Sequence, residues 1–83
     1  MQTIKDTKEK VIGLKQTLRA IQQGTISKVY IANDVEDHVL RKITGPCQEK
    51  GIAIIQSNLT QRELGRLCQI EVGAAVVGII SNQ

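Results

Sequence analysis

The chain has 83 residues, 41% of them hydrophobic and 23% charged, with a net charge of +3. That supports one small domain over residues 1–83 with a single core. One tyrosine is the only aromatic residue, so the core is aliphatic and the stacking platforms of single-strand binders are missing.

Thr3 can cap a short first helix through residues 3–10, with Asp6 three residues on. The start Met1-Gln2-Thr3-Ile4-Lys5-Asp6 is too polar for a signal peptide, and no apolar run is long enough for a membrane span, so a cytoplasmic location is expected. Val11-Ile12 reads as a short strand that stops at Gly13. A helix follows from about Leu14 to Gln23, and Gly24 ends it. Leu14, Leu18 and Ile21 recur at helical spacing and form its buried stripe. Lys15, Gln16 and Arg19 fall off that stripe and face out. Lys15 and Gln16 therefore sit where unpaired backbone N–H groups and the positive dipole end favour an anion. The dipole disfavours a lysine there by roughly a few tenths of a kcal/mol, a penalty that a phosphate or an electronegative base edge would remove.

Val29-Tyr30-Ile31-Ala32 is a continuous apolar run typical of a strand covered on both faces. Asn33-Asp34 breaks it and can cap a third helix from Val35 to Thr44, with Val35, Val39, Leu40 and Ile43 inward. The acids Asp34, Glu36 and Asp37 suit the first turn of that helix better than a metal site, and His38 lies on its solvated face. At Gly45-Pro46 either the helix kinks or a new helical turn starts with Pro46 at its first position. Gly51 closes that turn, and Ile52-Ala53-Ile54-Ile55 reads as another buried strand. Thr60-Gln61-Arg62-Glu63 is a capping-box pattern. The fourth helix turns Leu64, Leu67 and Cys68 inward and Arg62 and Arg66 outward. The loop Ile70-Glu71-Val72-Gly73 leads to a last strand from Ala74 to Ile80. Its two branched side chains are either core residues or an apolar finger beside the Lys15 helix start.

Helices alternating with near-continuous apolar strands predict an α/β fold, a three-layer α/β/α sandwich with a small mixed sheet. Enzymatic constellations are scarce. There is no GxGxxG, GxxxxGK[ST] or GxSxG pattern. Cys47 and Cys68 form no CxxC pair and His38 has no partner at ligand spacing, so no metal and no cofactor are expected. Both thiols read as small core residues in a reducing compartment. The mild basic excess fits nucleic acid without demanding it.

Two separated stretches carry a resemblance. Gly13-Leu14-Lys15-Gln16-Thr17-Leu18-Arg19 with Ile21-Gln22-Gln23-Gly24, and the run from Glu63 to Ala75, resemble the two signatures of the L7Ae/L30e superfamily of ribosomal proteins. Val29 to Asp34 and Pro46 to Lys50 stand in the expected order, and the resemblance covers almost the whole chain. The short length is similar to the bacterial branch. The resemblance implies an α/β/α sandwich and a non-enzymatic, monomeric protein that binds kink-turn RNA, ribosomal RNA or another structured RNA, as a ribosomal or ribosome-associated component. Residues matching Lys15 and Gln16 would contact the guanine edges of sheared G·A pairs, in the motif opened by Gly13 and Leu14. Arg19 would sit close behind, on phosphate or base. Asn33 would add a polar contact and Arg62 would meet phosphate. Ile70, Glu71 and Val72 would pack on extruded bulge nucleotides. An ammonium can donate to guanine O6 and N7, and an amide can donate and accept. Apolar contact on an unstacked base suits RNA read by shape.

The chain departs from the family pattern in two places. Many members carry Asn-Glu where this chain has Lys15-Gln16, and Gln69 stands where glycine is common. A protein-interaction module of the same fold is the other reading; its acidic surface would predict a negative net charge, against the +3 found.

Overall fold

The computed structural model describes residues 10–80: β1 (Lys10–Ile12), α1 (Leu14–Gln22), β2 (Ile26–Ile31), α2 (Asp37–Lys50), β3 (Ala53–Gln56), α3 (Gln61–Leu67) and β4 (Val76–Ile80). Apart from Lys10, the short helix expected over residues 3–10 lies outside the described residues. The strands form one mixed sheet in the order β1-β4-β2-β3. β2 pairs in parallel with β3, while β4 runs antiparallel to both β1 and β2.

The central strands owe their place to side chains that suit burial on both faces. In β2, Val29 and Ile31 turn toward α1 and α2 and join Ala20, Ile21, Ile43, Cys47 and Val76 in one core. Tyr30 and Ala32 turn the other way, to a second core built on Leu64, Cys68, Val77 and Ile79 under α3. β4 divides its residues in the same way. The layers are thus α1 with α2, then the sheet, then α3, which is the expected α/β/α sandwich. Each fully buried Ile, Leu or Val contributes about 1.5–3 kcal/mol relative to exposure.

Four local expectations are corrected. The strand at 52–55 is not buried; β3 is an edge strand, and Ile55 is 37% exposed. Its apolar run is too short to distinguish an edge from a centre. The third helix starts later than Val35 and runs on past Thr44 as one helix through Gly45-Pro46 to Lys50. Proline costs it a single hydrogen bond, while Ile43 and Cys47, four residues apart and fully buried, tie both halves to the same core. The Asn33-Asp34 pair does not cap this helix, whose N-cap is Glu36 with no side-chain cap bond. Asp34 instead reaches α3, where its carboxylate accepts from the Gln61 N–H at 2.8 Å. Finally, the stripe on α1 includes Thr17, fully buried, while Leu14 and Leu18 are only partly covered.

Candidate functional site

β1 and β2 point the same way, because each is antiparallel to β4. Their C-terminal ends therefore lie on one rim of the sheet, beside the start of β4: Ile12 pairs with Val77, and Ile31 with Val76. All three helices begin at this rim, each following a strand that ends there.

Gly13 makes the turn from β1 into α1. Its φ of 103° and ψ of 155° belong to a region that side chains exclude. Its N–H donates to the Val76 carbonyl at 2.8 Å, which ties the start of α1 to the start of β4. A glycine N-cap has no oxygen to offer, and the first turn holds no acid. The early N–H groups of α1 are left without a side-chain acceptor. Lys15, Gln16 and Arg19 are all exposed on this helix, and Arg19 lies one turn further from the rim, about 6 Å along the axis. Leu14 turns inward against the first core.

Asn33 leaves β2 at the same rim, exposed, with its N–H donating to the Leu59 carbonyl at 2.8 Å. Beside it opens a shallow depression lined by Ile31, Ala32, Val35, Asp37, Leu40 and Gln56. Among the described residues no group of three or more His, Cys, Asp or Glu side chains could hold a metal ion. Asp34 is committed to α3, and Glu36 pairs with His38 Nδ1 at 3.3 Å.

The loop from Ile70 to Gly73 is seated on α3. The Ala74 N–H donates to the Gln61 carbonyl at 2.9 Å, and the Ile70 N–H to the Gly65 carbonyl at 3.0 Å. Ile70 packs on the second core, whereas Val72 is 70% exposed, the most exposed large apolar residue described. Glu71 is exposed beside it. Of the two readings open for this loop, each holds for one residue: Ile70 is core and Val72 is free. Gln69 takes the left-handed conformation, φ 63°, that ends α3, which explains why glycine suits that position. Arg62 is exposed in the first turn of α3, next to the Gln61 that anchors the loop. The rim therefore gathers Gly13, Lys15, Gln16, Asn33, Arg62, Glu71 and Val72, with Arg19 set back and Leu14 and Ile70 supporting from below.

Gly65 lies within the run from Glu63 to Ala75, and its role is a matter of contact. A Cβ on it would overlap the Val72 carbonyl oxygen and stand 3.1 Å from the Gly73 Cα. Gly78 similarly admits Thr17, whose Cγ2 would lie 3.0 Å from an added Cβ. Gly65 lets the loop backbone lie against α3, and Gly78 lets side chains of neighbouring elements lie against β4. The one signal in the sequence is a glycine inside an otherwise regular helix or strand.

A sequence model of the ribosomal protein L7Ae/L30e/S12e/Gadd45 family matches residues 1–83. An RNA-binding protein of the bacterium Caldanaerobacter subterraneus subsp. tengcongensis is 51% identical over 75 residues, 90% of each chain. A Bacillus halodurans protein of unknown function has the same fold, with a TM-score of 0.83 at 20% identity over 94% of this chain and 77% of that one. The Giardia lamblia 15.5kD RNA binding protein superposes with a TM-score of 0.80 at 22% identity, over 92% of this chain and 63% of that one.

Proposed function

The chain belongs to the ribosomal protein L7Ae/L30e/S12e/Gadd45 family, and from that premise we propose that it is a non-enzymatic RNA-binding protein that recognises kink-turn RNA and stabilises its bent form. The observation that carries this reading is the shared rim: an uncapped helix start with Lys15 and Gln16 stands beside a loop that leaves Val72 70% exposed. Lys15 donates to guanine O6 and N7 of the sheared pairs, and Gln16 donates and accepts at the neighbouring edge. Arg19 and Arg62 meet phosphate from either side, and Asn33 adds a polar contact. Val72 covers the face of an extruded base, with Ile70 holding the loop from beneath and Glu71 at its tip. The protein acts as a cytoplasmic monomer, ribosomal or ribosome-associated, on ribosomal or another structured RNA, and needs no cofactor.

Binding selects the bent RNA from an ensemble of shapes. The test is a titration against a kink-turn RNA and a matched straight duplex at two salt concentrations. The expected result is a clear preference for the kink-turn that survives the higher salt. Equal, salt-labile binding to both would leave only a non-specific basic surface. Val72→Asp weakens kink-turn binding more than duplex binding, by about 1–2 kcal/mol for the apolar contact it removes, because the added carboxylate repels phosphate in both. Equal losses on both RNAs would take the loop out of the site.

A further inference from the structure

A second cationic surface lies away from the rim. The exposed positions in the first half of α2 are Asp37, His38, Arg41, Lys42 and Gly45. Glu36 is occupied with His38 at 3.3 Å, and the side chains of Arg41 and Lys42 have no hydrogen-bond or ion-pair partner among the described residues. Lys42 has no acid three or four residues away on its own helix, whereas Asp37 stands four residues before Arg41 without forming an ion pair with it. α1 and α2 start at the same rim, pack on one another and cover the same face of the sheet. At about 1.5 Å per residue, Arg19 and Arg41 both lie roughly one turn from the rim. Arg19, Arg41 and Lys42 are thus exposed on one helical layer, each about a turn back from the rim.

The next turn of α2 is bare. Nothing lies within 4 Å of the place a Cβ would take on Gly45. Pro46 has no N–H, which leaves the Lys42 carbonyl without its helical donor. Gly45 also spares the proline ring a clash with a preceding Cβ.

We infer that the outer face of α2, through Arg41 and Lys42 beside the bare turn at Gly45, seats the phosphate backbone of the bound RNA beyond the portion held at the rim. The inference rests on the RNA reading above for the identity of the ligand. A guanidinium binds phosphate in a fork and an ammonium as a point charge, and neither reads sequence from this position. The two groups that make the contact, a guanidinium and an ammonium, meet phosphate oxygens and not base edges, so the contact positions the RNA without selecting its sequence.

The test compares a kink-turn RNA with long helical arms and one with arms trimmed to the bend. Arg41→Gln with Lys42→Gln is expected to lower the slope of log affinity against log salt by roughly 1.4–1.8 on the long-armed RNA, about 0.7–0.9 per phosphate no longer neutralised. On the trimmed RNA the double variant and the unaltered chain give the same slope, and the preference for kink-turn over duplex is unchanged. An unaltered slope on the long arms overturns the inference. An equal fall on both RNAs also overturns it, because the two charges then act as a diffuse field. If the unaltered chain shows no kink-turn preference, the rim reading fails by itself. The same slopes on plain duplexes of two lengths then decide the α2 inference separately.

Discussion

α3 and α1 begin on the same rim with opposite equipment. At α3 the Glu63 N–H donates to the Thr60 hydroxyl at 3.2 Å, and the Thr60 N–H to the Glu63 carboxylate at 2.9 Å. The Gln61 N–H is taken by Asp34 from across the rim. At α1 the N-cap is a glycine, no acid occupies the first turn, and Lys15 and Gln16 stand there exposed. The first start satisfies its donors within the protein and adds stability. The second has no side-chain cap bond and no acid to offset its cation. On the proposed function, the contrast separates what holds the rim together from what meets the RNA.

The largest perturbation breaks the comparison by displacing the loop seated on α3. Gly65→Ala puts a methyl group into the Val72 carbonyl and is expected to lower stability by about 3 kcal/mol. It also removes the kink-turn preference, read by thermal melting and by titration on the variant while still folded. An unchanged melting temperature would mean that the loop shifts freely and is not seated as described. Next comes Lys15→Ala, which should cost about 1–3 kcal/mol of kink-turn affinity. Its stability should hold or rise by roughly 0.3 kcal/mol as the dipole penalty goes. Unchanged affinity would remove Lys15 from the site.

Thr60→Ala is the mirror experiment. It should cost about 1 kcal/mol of stability and leave affinity for folded protein untouched. A loss of binding without a loss of stability would reverse the roles assigned to the two starts. The smallest effect concerns the thiols, which α1 lacks. Burial pushes Cys47 and Cys68 above the ordinary thiol value of 9.0, and in Cys68 the nearby Lys10 partly opposes it. The unfolded chain ionises first, so their stabilisation is complete below 9.0 and lost as pH rises through the higher folded values. Melts from pH 8 upward, about one pH unit below that onset, should decline less in a Cys47→Ala, Cys68→Ala chain than in the unaltered one.

Much of the rim was legible as local pattern. The capping box at Thr60 and Glu63, the glycine stop before Leu14 and the exposed trio Lys15, Gln16 and Arg19 each follow from a few neighbouring residues. The loop was legible only as an alternative, since Ile70 and Val72 have the same chemistry two positions apart. Which of them is buried depends on the Gly65 seat and the left-handed turn at Gln69.

The sequence by itself determined the element types, the layered α/β class, the aliphatic core and the identity of the exposed charges, because periodicity and capping are written over spans of a turn or two. Tertiary structure alone decided that β3 is an edge, that α2 passes through Pro46 unbroken, and that Asp34 serves α3 in place of its own neighbour helix. It also decided that Gly65 and Gly78 are contact points. Each of these depends on what lies far along the chain: a second neighbour that β3 lacks, a core shared by Ile43 and Cys47, a donor 27 residues away. Local propensity carries no record of such partners, and the free energy of packing overrides it where they meet.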